Sequence, residues 1–126
     1  MKRKRIFTFV AMFSFLLSSC ICVLAYTDNA NLVKGNYKAL AKINVQRGVP
    51  CFSDDIIKAY TNEKTNCPYV KAEIYTWNLG EKLYDRDVQN KVAFAYYRGG
   101  FNWGYNMYHH ILDSKKKSIK SIMFAD

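Results

Sequence analysis

The chain has 126 residues, half of them hydrophobic, and a formal net charge of +9. This length excludes a large multidomain protein and predicts one small domain with a thin core. The charge is moderate and interspersed, which argues against a dedicated nucleic-acid binder, so we do not expect nucleic acid as a partner.

The N-terminus has the layout of a secretory signal peptide. Four basic residues at positions 2–5 precede a nearly apolar run, 6–24, and Ala25 is a small residue suited to cleavage. Cleavage after Ala25 would leave 101 residues with a net charge of +5, secreted or at the cell surface. Two alternatives stay open. The run is close to the length of a retained membrane anchor, and residues 17–20 resemble a lipobox in which Cys20 would be acylated.

Cys51 and Cys67 are the only cysteines that remain after the predicted cleavage. An even pair in an oxidising compartment indicates a disulfide, and the alternative is two buried free thiols. The bridge would close a loop of about 17 residues and contribute roughly 3 kcal/mol in the chain-entropy model. Neither cysteine has a second ligand at zinc-site spacing, so we expect no metal, and no motif indicates a cofactor.

Residues 26–36 are polar and predict a flexible lead-in to a domain that covers 37–126. Seven segments of that domain read as short strands: 37–46, 56–61, 70–77, 82–85, 92–97, 103–112 and 118–124. For 56–61, a short helix capped by Ser53 is the alternative. A turn at 78–80, a charged loop at 85–87 and a polar turn at 113–117 separate strands. Six to seven strands at this spacing predict an all-β antiparallel sandwich or small barrel.

Two adjacent histidines, His109 and His110, suggest acid and base catalysis at first sight. In a strand, however, adjacent side chains point to opposite faces, so the two rings cannot meet at one substrate. The alternation places His109 on the apolar face and His110 on the polar face. The acidic residues beside predicted loops form no clear catalytic pair: Glu73, Glu81, Asp85 and Asp87. We therefore predict a protein that is not an enzyme.

A lysine cluster near the C-terminus follows an aromatic segment. Lysines in a turn usually serve solubility, but with neighbouring aromatic rings they could also contact lipid headgroups, a wall polymer or a wall precursor. The predicted binding residues are Trp103, Tyr105, Tyr108, His110, Lys115, Lys116, Lys117 and Lys120.

Residues 105–118, with the sequence YNMYHHILDSKKKS, resemble an element of the small secreted lactococcin-type bacteriocins. That family is exported by a plain signal peptide, folds as a compact β-sandwich and acts against the cell-wall precursor. The resemblance implies matching roles for Trp103, Tyr105, Tyr108, His109, His110, Ser114 and Lys115. Here the element lies near the end of the chain, whereas the family places it near the start of the mature protein.

Together these features predict an exported, non-enzymatic binding module that contacts an anionic envelope component or a protein outside the cell. A bacteriocin-like toxin and a secreted hydrolase are the alternatives.

Overall fold

The computed structural model describes residues 24–126, and this part of the chain is all-β, as predicted. Its eight strands are β1 (Leu24–Lys34), β2 (Tyr37–Arg47), β3 (Asp55–Thr65), β4 (Tyr69–Trp77), β5 (Glu81–Gln89), β6 (Val92–Gly99), β7 (Gly104–Leu112) and β8 (Ser118–Ala125). The first sheet has the order β1-β2-β3-β6 and the second β5-β4-β7-β8, with all pairs antiparallel. Apart from Leu24 and Ala25, the predicted signal peptide lies outside the described residues. No helix of residues 24–126 has the length and hydropathy needed to cross a membrane.

The core lies between the two sheets and follows directly from the alternation in the sequence. In β2, Ala39, Ala41, Ile43 and Val45 are buried while the residues between them face outward. The second sheet places Val70, Ala72, Ile74, Met107 and Ile111 against them. One apolar face on each sheet is therefore buried against the other, which is the arrangement of a β-sandwich.

The seven predicted strands are all present, and the eighth is β1. Residues 26–36 were predicted to be a flexible lead-in, but Leu24–Lys34 pairs with the whole of β2, so that prediction is wrong. β1 is an edge strand in which only Leu32 is buried, so its composition resembles a loop. The predicted cleavage point after Ala25 falls two residues inside this strand.

The predicted charged loop at 85–87 is also wrong, because these residues lie within the continuous strand β5. Asp85 accepts a hydrogen bond from the backbone N–H of Tyr96 at 2.8 Å, and Asp87 accepts one from Phe94 N–H at 2.9 Å. β6 is the edge of the first sheet and β5 the edge of the second. The two carboxylates thus satisfy N–H groups that an edge strand would leave unpaired, and they join the two sheets at this side.

The predicted disulfide between Cys51 and Cys67 is absent, and both thiols are free. Cys51 lies in the loop before β3 and Cys67 in the turn after it. β3 has 11 residues, so it separates the two positions by roughly 30 Å at the usual strand rise. A disulfide needs Cα atoms about 4.4–6.8 Å apart. The sequence spacing suggested a short loop, but an extended strand between the cysteines carries them to opposite ends of the sandwich.

The two thiols should differ in reactivity. Cys51 is exposed, whereas Cys67 is buried and donates a hydrogen bond to the carbonyl of Lys38 at 3.1 Å. Burial raises the pKa of Cys67, which lowers its thiolate fraction. We expect a maleimide to label Cys51 and to spare Cys67 in the folded protein, as located by peptide mapping. We also expect a reducing agent to leave the melting temperature unchanged; a peptide linking Cys51 to Cys67 would contradict both expectations.

Candidate functional site

The structure separates the residues of the predicted aromatic and lysine patch. Trp103 precedes β7 at one end of the sandwich, and Lys115, Lys116 and Lys117 follow β7 at the other end. The nine-residue strand between them spans roughly 30 Å. The turn lysines and Lys120 are exposed, Asp113 accepts hydrogen bonds from two backbone N–H groups of the turn, and the Lys116 ammonium lies 5.1 Å from the centre of the Tyr69 ring. These residues therefore do not form one surface.

Tyr105, another predicted binding residue, is buried in a polar network at the end of the sandwich where Trp103 lies. Its hydroxyl donates to Asp55 Oδ2 at 2.6 Å, and Asp55 also accepts from the backbone N–H of Gly48 at 2.7 Å. The Arg47 guanidinium lies 3.6 Å from Asp55 and 3.3 Å from Asp126. Burial and the bond to Asp55 raise the pKa of Tyr105 well above its usual value. This network holds β2, β3 and β7 together and leaves Tyr105 inaccessible to a ligand.

His109 and His110 point to opposite faces of β7, as predicted. His109 is fully buried, and its Nδ1 lies 2.9 Å from the Thr61 hydroxyl oxygen of the opposite sheet. His110 faces outward, where its Nδ1 lies 2.9 Å from the Ser118 hydroxyl oxygen. The two rings are therefore separated by the backbone of the strand.

On the outer face of the second sheet, the carboxylate of Glu73 is surrounded by cations and is almost fully buried. Arg86 contacts Glu73 Oε2 through Nε at 2.7 Å and through Nη2 at 2.6 Å, and Lys71 lies 3.2 Å from Oε1. Burial by itself would raise the pKa of Glu73, but the bond from Arg86 and the charge of Lys71 outweigh it and hold the pKa below its usual value. The carboxylate is thus fully engaged by structural partners.

His110 also approaches this carboxylate. Its Nε2 lies 2.8 Å from Glu73 Oε1, but without the alignment of a hydrogen bond. Burial and the charge of Lys71 lower the pKa of His110, so the ring is neutral near pH 7. The predicted contact residue Tyr108 lies beside it and donates a hydrogen bond to Glu81 at 2.9 Å. On this face the cations Lys71 and Arg86 are therefore both already paired with Glu73.

The outer face of the first sheet is different, because its central rows contain no acidic residue. The register places outward-facing residues in four rows across β1, β2, β3 and β6. These rows are Asn31, Leu40, Asn62 and Val92; Asn29, Lys42, Tyr60 and Phe94; Thr27, Asn44, Lys58 and Tyr96; and Ala25, Gln46, Ile56 and Arg98. We call this surface the basic aromatic face.

Two cations of the basic aromatic face have no acidic partner in the part of the chain that the structure describes. Neither Lys42 nor Lys58 forms a salt bridge within residues 24–126, whereas Arg98 pairs with Asp54 at 3.3 Å. The lysines sit in adjacent rows, with amide side chains of Asn29 and Asn44 beside them. The face is consequently positive and rich in hydrogen-bonding groups.

Aromatic rings occupy the β6 side of the same face. Tyr60 and Phe94 are cross-strand partners and stack with ring centres 4.7 Å apart, and Phe94 and Tyr96 lie 6.1 Å apart. Phe94 and Tyr96 are 38% and 37% exposed. Three rings thus form a continuous, partly exposed strip beside the lysines.

A shallow depression of about 430 Å³ lies on the β1 side of the basic aromatic face. Polar groups line much of it, and the Thr27 hydroxyl donates to Asn44 Oδ1 at 2.7 Å across its wall. Lys58 borders both the depression and the aromatic strip, since its cross-strand partner is Tyr96. The residues that line the depression are Ala25, Tyr26, Thr27, Asn44, Val45, Gln46, Ile56 and Lys58.

Sequence reasoning identified the polar side of β2 but missed this face. Alternation alone shows that Lys42 and Asn44 point away from the core. Which residues stand beside them depends on the order β1-β2-β3-β6, in which β6 is separated from β3 by two strands of the chain. One local signal could have indicated the basic aromatic face. Among the outward-pointing residues of the predicted strands 37–46, 56–61 and 92–97, there are lysines but no acidic residues.

Comparison with protein-family models, curated proteins and solved structures finds no match to this chain. The resemblance of residues 105–118 to lactococcin-type bacteriocins therefore stays a prediction. The candidate site rests on its own geometry.

Proposed function

We propose that this protein is an exported, non-enzymatic binding module that holds an anionic polysaccharide of the cell envelope on the basic aromatic face. The observation that carries the proposal is the set of adjacent rows in which Lys42 and Lys58 stand next to Tyr60, Phe94 and Tyr96. Among residues 24–126, neither lysine has an acidic partner. Export rests on the predicted signal peptide at 1–25.

The chemistry of the face suits a chain of charged sugar rings. Aromatic side chains offer apolar surfaces against which a sugar ring can pack, and a tyrosine adds a polar tip. The lysines supply attraction to carboxylate or phosphate groups, and unlike Lys71 of the second sheet they are not already paired with Glu73. Amide side chains beside them can exchange hydrogen bonds with hydroxyl groups.

The shape of the face favours an extended ligand over a small molecule. A small-molecule site usually encloses most of its ligand, whereas the depression beside Lys58 is shallow and continues into the aromatic strip. A polymer lying across the strands would contact the depression through one unit and the rings through the next. Such binding depends on several modest contacts, so it should weaken as salt screens the lysines.

Polygalacturonate is a suitable probe, because its sugar rings each bear a carboxylate. We expect the full chain to bind it in affinity electrophoresis and to show no retardation by uncharged dextran. The double variant Lys58→Ala/Tyr96→Ala should bind at least tenfold more weakly, since the loss of a ring contact and a charge contact exceeds about 1.4 kcal/mol.

The matched control is Lys115→Ala/Lys116→Ala, which removes two charges at the opposite end of the sandwich. We expect this variant to retain binding within twofold. If it lost binding while Lys58→Ala/Tyr96→Ala kept it, the turn lysines would be the site and the basic aromatic face would not. Tighter binding of single-stranded oligothymidylate than of polygalacturonate would also overturn the proposal.

A further inference from the structure

One end of the sandwich exposes large apolar side chains on three separate loops. These loops are 48–54 between β2 and β3, 78–80 between β4 and β5, and 100–103 between β6 and β7. Phe52 is 87% exposed, Leu79 is completely exposed, and Trp103 is 73% exposed. We call this region the apolar end.

The three loops are neighbours in space. Residues of loops 48–54 and 100–103, including Phe52 and Phe101, line one small surface depression. Leu79 and Asn102 line a second one, which connects 78–80 to 100–103. The Phe101 and Trp103 rings pack edge to face with centres 5.3 Å apart. The exposed side chains therefore form a group of apolar tips rather than isolated residues.

The opposite end has a different composition. Its connections are 35–36, 66–68, 90–91 and 113–117, and none of the large exposed apolar side chains of residues 24–126 lies in them. That end instead presents Lys91 and the turn lysines. The asymmetry matters because large apolar side chains that stay exposed to water gain little burial from the fold, whereas Trp and Phe are favoured at a membrane interface.

The start of β1 also lies at the apolar end, and its position is a second indication of a membrane. Leu24 pairs with Arg47, the last residue of β2, and is itself exposed. The apolar run 6–24 thus reaches the domain at this end, with no linker residue between the run and β1. If the run is a membrane anchor, or if Cys20 is acylated, the tether joins the domain at the end that carries the apolar loops and holds that end near the bilayer.

We propose that the apolar end inserts into a lipid bilayer, with Phe52, Leu79, Phe101 and Trp103 entering the interface. This surface is distinct from the basic aromatic face, which runs along the strands and would stay free above the membrane. The proposal does not depend on polysaccharide binding. It also holds if the signal is cleaved, because the loop residues all follow the predicted cleavage point.

Trp103 allows a direct test, because the chain has only two tryptophans. In the full chain carrying Trp77→Phe, in whichever N-terminal form the cell produces, Trp103 is the sole reporter. We expect vesicles of phosphatidylcholine and phosphatidylglycerol brominated at the acyl chains to quench its fluorescence by at least half. The matched control adds Lys115→Trp to a Trp77→Phe/Trp103→Phe background, and its fluorescence should be unquenched.

A second variant tests the loops themselves. Phe52 and Leu79 are exposed, so Phe52→Asp/Leu79→Asp should leave the fold intact, as checked by circular dichroism, and reduce the quenching of Trp103 at least threefold. Unquenched Trp103, or equal quenching of Trp103 and Lys115→Trp, would overturn the proposal. So would a stable dimer in sedimentation that dissociates in Phe52→Asp/Leu79→Asp, because a second copy would then cover the apolar end.

Discussion

Replacing Asp55 with alanine should lower the free energy of unfolding by about 3–5 kcal/mol, the usual consequence of removing one partner from a buried charged pair. The side chain of Asp55 is only 1% exposed, so water cannot replace it. Its loss would leave the Tyr105 hydroxyl and the Gly48 N–H without their acceptor. Urea denaturation followed by tryptophan fluorescence would measure the change.

The effect should be large because the lost contacts join elements from both sheets. Asp55 starts β3, Arg47 ends β2, and Tyr105 lies near the start of β7. Gly48 reinforces the constraint, since a Cβ atom at this position would collide with the carbonyl oxygens of Ser53 and Asp54. The backbone at the start of the 48–54 loop is therefore held against the carboxylate.

Asp54→Ala is the matched control, because this neighbouring aspartate is exposed. Its salt bridge to Arg98 at 3.3 Å joins two side chains that are about half exposed or more, and such pairs contribute little to stability. We expect a change below about 1 kcal/mol. Equal losses in Asp54→Ala and Asp55→Ala would show that the network is not the reason for the effect.

The second large effect is a loss of stability between pH 6.5 and pH 4, caused by His109. Complete burial lowers the pKa of this ring to about 4 from 6.5. Because the folded pKa is the lower one, the unfolded chain takes up the proton first as the pH falls. The contribution is therefore present above pH 6.5 and disappears as the pH approaches 4, and the shift corresponds to about 3 kcal/mol.

His109→Leu isolates this contribution, since leucine has a similar volume and does not titrate. The Thr61 hydroxyl keeps its bond to the Lys71 carbonyl at 2.8 Å, so the variant leaves that donor satisfied. The free energy of unfolding, measured by urea denaturation at pH 7 and pH 4, should fall by about 3 kcal/mol more in the natural protein than in His109→Leu.

His110→Gln serves as the comparison, because it removes the outward histidine and leaves the buried one. We expect this variant to keep most of the pH dependence. If His110→Gln abolished the dependence and His109→Leu did not, the assignment to the buried ring would be wrong.

Most strands could be predicted from the sequence because alternation is a local property. In β2 and β7, apolar and polar residues follow each other with period two, and burial follows the same period. The same rule correctly separated His109 from His110. Prediction failed for β1 and for 85–87. Both lie in edge strands, which bury few side chains and therefore show little apolar alternation. Asp85 and Asp87 resemble loop residues in sequence, yet they accept hydrogen bonds from β6.

The predicted binding residues do not share one surface, for a related reason. Residues that are close in sequence were expected to lie close in space, but an extended strand moves its ends apart. Trp103 and Lys115 flank β7 in this way, and Cys51 and Cys67 flank β3. Tyr105 was predicted to be a binding residue because it lies in the aromatic segment beside the lysines, whereas the structure buries it against Asp55.

The sequence by itself determined the all-β class, the existence of seven strands and, where the alternation is clear as in β2 and β7, the face to which each side chain points, because these depend on a two-residue period. Tertiary structure alone decided which strands are neighbours. That order created the acid-free rows around Lys58, the buried network of Asp55 and the group of apolar loops around Phe52 and Trp103. Each of these brings together residues that are distant in the chain, and their proximity results from packing two sheets around one core rather than from any local pattern.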